Sequence, residues 1–148
     1  MLFTVGYEGA SLEAFIGTLA GAGVQTLVDV RERAQSRRRG YSKTALAEAL
    51  AGAGIRYRHL RALGTPPTLR KPYKLDHDFA ALARGYWAHL ATQAEALEAL
   101  GALVARERVC LLCFEADPAT CHRSLIVERL RVMGLADAAQ DLRVPVGA

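Results

Sequence analysis

The sequence predicts a single-domain α/β fold, three-layered (α/β/α) and Rossmann-like, around a mainly parallel sheet of about four to five strands. Short apolar runs alternate with segments of helical periodicity, which favours layers of helix and sheet over a bundle or a sandwich. One run, Val24 to Val30, is almost continuously hydrophobic, as in strands covered on both faces. The 148 residues contain no internal repeat or low-complexity linker, and this length buries a substantial core as one domain.

Leu2 to Gly6 is an apolar strand ending at glycine, and Ser11 caps a helix whose Leu12, Phe15, Ile16 and Leu19 share one face until Gly21 and Gly23. Val24 to Val30 is the second strand, interrupted near its end by Asp29. After a loop from Arg31 to Tyr41, Ser42 is placed to cap a helix carrying Leu46, Ala47 and Leu50, which Gly52 and Gly54 end. Ile55 to Leu60 alternates apolar and basic residues like an edge strand. The next segment, RALGTPPTLRKPYK, holds three of the five prolines and is expected to be irregular, a cover for a site. Helices are expected over Asp76 to Ala91 and Gln93 to Arg106, then a strand over Val109 to Phe114. Asp117 and Pro118 read as the cap and first turn of a closing helix with Leu125, Ile126 and Leu130. A tail strand, Leu142 to Val146, belongs at an edge because of Pro145.

Composition narrows the function classes. No apolar run reaches membrane-spanning length, and the start MLFTVGYEGA lacks the basic and apolar regions of a signal peptide, so the expected location is cytoplasmic, with no membrane partner. Cys110, Cys113 and Cys121 are odd in number and match no paired-cysteine zinc spacing, so reduced thiols, no metal and no cofactor are expected. The net charge of +4 is concentrated in Arg31, Arg33, Arg37, Arg38, Arg39 and Lys43, which points to an anionic small molecule or nucleic acid, or else to a solvated loop. A homodimer through the helices or the edge strand is compatible with the sequence, which does not specify one.

In an open α/β sheet, ligands sit beyond the carboxyl ends of the strands, where strand order reverses. With an expected order of 3-2-1-4, that rim gathers Tyr7 and Glu8, Asp29 and Arg31, and the stretch CFEADPATCHRS from Cys113 to Ser124. Four segments then carry a family resemblance: TVGYEG, LVDVRERAQSRRRGYSK, YRHLRALGTP and LLCFEADPATCHRS. Together they resemble the domain of unknown function 488 family over nearly the whole chain. The resemblance implies a compact α/β domain of uncharacterised biochemistry, with motif positions at Gly6, Asp29, Arg31, Ser36, Arg37, His59, Leu63, Gly64, Glu115, Pro118, Cys121, His122 and Arg123. Many relatives carry proline just before the serine and arginine of the second motif, where this chain has Ala34 and Gln35.

The family name brings no reaction with it, so the chemistry rests on side chains. Cys121 is a candidate nucleophile near a helix start and Arg123, and equally a small buried hydrophobe; on a helix, its neighbour His122 would diverge from it by about 100°. A C-x5-R phosphate cradle on Cys113 is excluded, because Ala119 stands where arginine is needed. Arg123, with Tyr7, Asp29, Arg31, Ser36, Arg37 and Arg38, forms the expected ligand-binding set, its arginines placed to grip an anion, the alternative being ion pairs to Glu8, Asp29, Glu115 or Asp117. Asp29 is the acid most expected in such a pair, because an uncompensated carboxylate near an apolar strand is costly. Glu8, Glu115 and His122 are the acid–base candidates, alongside the Cys121 thiol. Two classes remain: an enzyme acting on a phosphorylated or nucleotide-like substrate, or a non-catalytic nucleic-acid or protein-binding module using the loop from Arg31 to Lys43.

Overall fold

In the computed structural model of the chain, which describes residues 1–145, five parallel strands form one sheet in the order β3-β2-β4-β1-β5. The strands are β1 (Leu2–Gly6), β2 (Thr26–Asp29), β3 (Arg56–His59), β4 (Val109–Cys113) and β5 (Ala139–Leu142). The helices are α1 (Leu12–Gly21), α2 (Lys43–Gly52), α3 (Pro67–Asp76), α4 (Phe79–Ala91), α5 (Ala94–Arg106) and α6 (Arg123–Val132). No helix among the described residues is long and apolar enough to cross a membrane.

The pleat of β4 divides the core. Val109, Leu111 and Cys113 face a cluster with Leu90 of α4, Leu97 and Leu100 of α5, and Ile126 and Leu130 of α6. Cys110 and Leu112 face the other cluster, with Phe15 and Leu19 of α1 and Leu46 and Leu50 of α2. Successive side chains of a strand point to opposite faces, so a run that is buried at every position requires helices on both sides. The α/β single-domain architecture is therefore as the sequence predicts.

The strand order differs from 3-2-1-4, because β4 inserts between β2 and β1. The chain leaves β1 and β2 into helices on one face and leaves β4 into α6 on the other. The crevice thus opens above the end of β4, with the loops of both neighbouring strands beside it. β3 lies at the sheet edge with alternating exposure, and β5 forms the opposite edge.

Local differences have physical reasons. The segment expected to be irregular contains helix α3, which starts at Pro67, where proline's missing N–H costs nothing, and accommodates Pro72 inside it. The helix expected from Asp76 instead breaks at His77, whose φ of 53° is left-handed, and restarts when the Asp78 carboxylate accepts a hydrogen bond from Ala81 N. Ser11 caps α1 through Ala14 N, but Ser42 makes no such bond to α2 and turns back to the Arg31–Tyr41 loop. Asp117 caps a short 3-10 turn, Pro118–Thr120, and α6 begins only at Arg123. The tail strand is displaced towards the amino end, over Ala139–Leu142, and Val146 lies outside the described residues.

Two glycines allow the rim loops to close on the sheet. A Cβ at Gly6 would fall on the Glu115 carbonyl, and one at Gly64 would fall against the Glu32 amide nitrogen. Backbone cannot yield as a flexible side chain does. Gly64→Ala is therefore expected to destabilise the protein by about 1–3 kcal/mol in urea unfolding, the usual cost of overpacking. Gly52→Ala, in the last turn of α2 where nothing lies within 4 Å, serves as the control and should leave stability unchanged or raised by up to about 1 kcal/mol.

Candidate functional site

Above the carboxyl end of β4 lies a cavity of about 510 Å³. Tyr7 enters it from the loop after β1, and Arg31, Glu32, Arg33, Gln35 and Arg37 from the loop after β2. Cys113, Phe114, Glu115 and His122 supply the wall after β4, while Arg70, Tyr73 and Lys74 reach in from α3. Five cationic side chains thus face two acidic ones, Glu32 and Glu115.

The floor is held by Asp29, fully buried at the end of β2. Its Oδ1 accepts from Arg31 N at 3.0 Å and Arg31 Nε at 2.9 Å, and its Oδ2 from Arg31 Nη2 at 2.7 Å and the Tyr57 hydroxyl. Burial opposes the charge on Arg31, but the Asp29 carboxylate outweighs it and holds the guanidinium protonated more firmly than in water. Arg31 Nη1 continues to the Tyr7 hydroxyl at 3.3 Å, and Tyr7 stacks on Tyr41 with ring centroids 4.4 Å apart. Asp29 is thus a buried anchor, and Arg31 reaches the cavity already paired.

Three expected site residues build loops instead. The Glu8 carboxylate accepts from Ala116 N at 3.1 Å and clamps the β1 loop to the β4 loop. Ser36 Oγ accepts from Arg38 N at 3.1 Å, and Arg38 Nη2 donates to the Ala10 carbonyl. None of these three lines the cavity. Arg37 does, and it forms no ion pair among the described residues.

The largest departure from the sequence reading is Arg123. Expected on the rim to grip an anion, it is fully buried, and its guanidinium donates to the Glu115 and Ala116 carbonyls and towards Cys113 Sγ at 3.1 Å. The turn after β4 wraps around it, and Gly6 leaves room for that turn. Its Nε has no partner, and among the described residues it has no ion pair. Burial pushes its pKa down, opposed by the more distant charges of Asp141 and Glu115.

The cysteines also depart from expectation. Cys113 and Cys121 are joined as a disulfide with Cα atoms 7.3 Å apart, beyond the usual span of about 4.4–6.8 Å, while Cys110 is free and buried. His122 lies beside them, because Cys121 is extended and only the following residues are helical; His122 Nδ1 stands 3.6 Å from Cys121 Sγ. Its Nε2 is 2.7 Å from the Val30 carbonyl, which can only accept, so the proton sits on Nε2 and Nδ1 presents a lone pair to the sulfur. Burial, opposed by that carbonyl and assisted by Arg123, lowers the His122 pKa to about 4. The two sulfurs and the imidazole lie within 4.8 Å of one another, but the Arg123 guanidinium at 3.1 Å from Cys113 Sγ opposes a cation there. Glu115, by contrast, has its pKa raised by burial, an effect that Arg123 only partly offsets.

The residues that sequence reasoning missed are those of α3. Arg70, Tyr73 and Lys74 stand at i, i+3 and i+4, one face of a helix, and that spacing was the available signal. Pro72 between them masked it. Glu32 was missed as well; it binds Arg61 at 3.3 Å and Arg70 at 3.1 Å and so ties α3 to the loop after β2.

Two measurements test this arrangement. Asp29→Asn leaves a buried guanidinium without its counter-charge and is expected to cost about 3–5 kcal/mol in urea unfolding. For His122, the folded pKa lies near 4 and the unfolded value at about 6.5, so between them only the unfolded chain takes up a proton. Stability contributed by neutral His122 is therefore complete above about pH 6.5 and is lost as pH falls towards 4. His122→Gln keeps a donor for Val30 but cannot titrate, so its melting temperature should fall less over that window. Glu115 acts with the opposite sign in both proteins and cancels in the difference.

Residues 11–130 match the family model described as domain of unknown function DUF488. Searches of curated proteins and of solved structures give no match. The match takes in β2, β3, β4 and helices α1 to α5 in full, together with most of α6. On this match, the chain belongs to the DUF488 family.

Proposed function

We propose that the cavity binds a small anionic ligand carrying a phosphate or similar group, and that Glu115 moves a proton at the bound ligand. The observation that carries this reading is the unpaired positive charge on two facing walls. Arg33 and Arg37 after β2 and Lys74 on α3 line the cavity and form no ion pair among the described residues. Guanidinium and ammonium groups on opposite walls suit a multiply charged oxyanion, and the concave setting strengthens each contact relative to bulk water. Phe114, 43% exposed and on the same wall as Glu115, offers an apolar face to the remainder of the ligand, which suits a nucleotide-like molecule. Glu115 is a suitable acid because burial keeps its proton to a higher pH than an ordinary carboxyl.

The concavity also favours a small molecule over an extended polyanion. Arg38, from the same basic loop, is committed to the Ala10 carbonyl and lies over the Tyr41 ring, so the loop's charge is not all presented outward.

Calorimetric titration with inorganic phosphate and a nucleoside 5′-monophosphate tests the reading. Arg37→Ala and Lys74→Ala should each raise Kd about ten-fold, or about 1.4 kcal/mol, with folding unchanged. Glu115→Gln should leave Kd within about two-fold while removing turnover of the bound compound. Affinity that is insensitive to both cationic substitutions, or binding confined to oligonucleotides with a steep salt dependence, would overturn the proposal.

A further inference from the structure

Arg123 poses a problem of charge. Its guanidinium is fully buried, has one nitrogen without a partner, and forms no ion pair among the described residues. A buried cation bound only to neutral carbonyls is costly, and structures ordinarily resolve that cost with an anion in contact. The candidate within contact distance is Cys113 Sγ, 3.1 Å from Nη1. As a thiolate, Cys113 would supply the missing charge. As a neutral sulfur, it leaves the guanidinium with no anion in contact and only the more distant charges of Asp141 and Glu115 to offset its burial.

The surroundings of the second sulfur complete the pattern. Cys121 Sγ faces the unprotonated Nδ1 of His122 at 3.6 Å, so in the reduced protein the ring can accept a hydrogen bond from that thiol. Cys113 also lines the cavity, which gives a small reagent a route to an otherwise buried sulfur. Cys110, by comparison, is fully buried on the other face of the sheet, and burial pushes its thiol pKa up.

We propose that Cys113 and Cys121 are a redox-active pair, in which the Cys113 thiolate held by Arg123 is oxidised by hydrogen peroxide entering the cavity and Cys121 then closes the disulfide. The thiolate attacks one peroxide oxygen; an S–O bond forms, the O–O bond breaks, and the departing hydroxide takes a proton from solvent, leaving water and a sulfenic acid. Cys121 attacks the sulfenic sulfur while its thiol proton, hydrogen-bonded to His122 Nδ1, passes to the leaving oxygen; the S–S bond forms, the S–O bond breaks, and the oxygen departs as a second water. Peroxide is reduced by two electrons and the two thiols are oxidised by two, and an external dithiol reverses the change. The disulfide seen here is the oxidised end of that cycle. Phe114 and Glu115 lie between the two sulfurs in the chain and on the cavity wall, so the oxidation state bears directly on the ligand-facing surface.

The inference does not depend on the anionic ligand and is tested without it. The full-length protein is reduced with dithiothreitol, desalted and treated with hydrogen peroxide. Wild type should lose two of its three thiols, with Cys113 and Cys121 recovered in one linked peptide after digestion. Cys121→Ser should stop at the sulfenic acid and be trapped by dimedone on Cys113. An ordinary thiol is only about 3% ionised at pH 7, so Cys113 should react at least about ten-fold faster than free cysteine. Retention of all three thiols, dimedone spread equally over Cys110 and Cys113, or a reaction no faster than free cysteine would overturn the proposal. So would purified protein whose thiols are masked by a stoichiometric metal ion until a chelator is added. Phosphate binding measured on Cys113→Ser reports on the anion pocket separately, so one reading can fail while the other stands.

Discussion

The buried carboxylate of Asp29 is the interaction on which the site depends. Without it, β2 would end in apolar residues alone, with nothing to set the direction of the loop beyond. With it, Arg31 is fixed by both its backbone N–H and its guanidinium, and the Tyr57 hydroxyl secures the same carboxylate from β3. Arg31 then passes the order outward, to Tyr7 after β1 through its side chain and to His59 Nε2, 2.6 Å away, through its carbonyl. One ionised group therefore aligns loops from three strands. That explains why a charge is kept where a hydrocarbon would be cheaper to bury: a hydrocarbon fills space but does not fix direction.

Arg123 does the corresponding work on the opposite wall by a different means. It draws the carbonyls of Glu115 and Ala116 inward and bends the chain after β4 around itself, which places Glu115 and Phe114 on the cavity wall. Gly6 makes the bend possible, because any side chain at that position would meet the Glu115 carbonyl. The two walls differ in how they resolve charge. Asp29 and Arg31 neutralise each other, whereas Arg123 has only carbonyl dipoles and a sulfur in contact, and that imbalance gives the cysteine-containing wall its chemical interest.

Much of the fold was legible in the sequence, and the reason is periodicity. The strands and most helices bury one repeating face, and Val109–Cys113 with helices to either side is what an unbroken apolar run requires. Strand order was not legible, since nothing in β4 names its neighbours and insertion between β2 and β1 depends on packing of whole layers. The site was half legible. Tyr7, Arg31, Arg37, Glu115 and His122 converge as strand ends do, but the direction in which an arginine points is decided by which carbonyls the next loop offers. Arg123 and Arg38 turned inward for that reason, and α3 escaped notice because proline is discounted in helices even where the first turns tolerate it.

The place of β4 at the centre of the sheet has a consequence for how the chain assembles. β1 and β2 come early in the sequence, yet they do not pair with each other; each waits for β4, which begins at Val109. During synthesis, the first hundred or so residues therefore carry two unpaired parallel edges facing a gap, and the loop that must close to fill it spans most of the molecule. Folding becomes a late event, triggered by the arrival of one strand. The segment that completes the sheet is the same one that delivers Cys113 and Glu115, so a nascent chain has no cavity until it also has a fold.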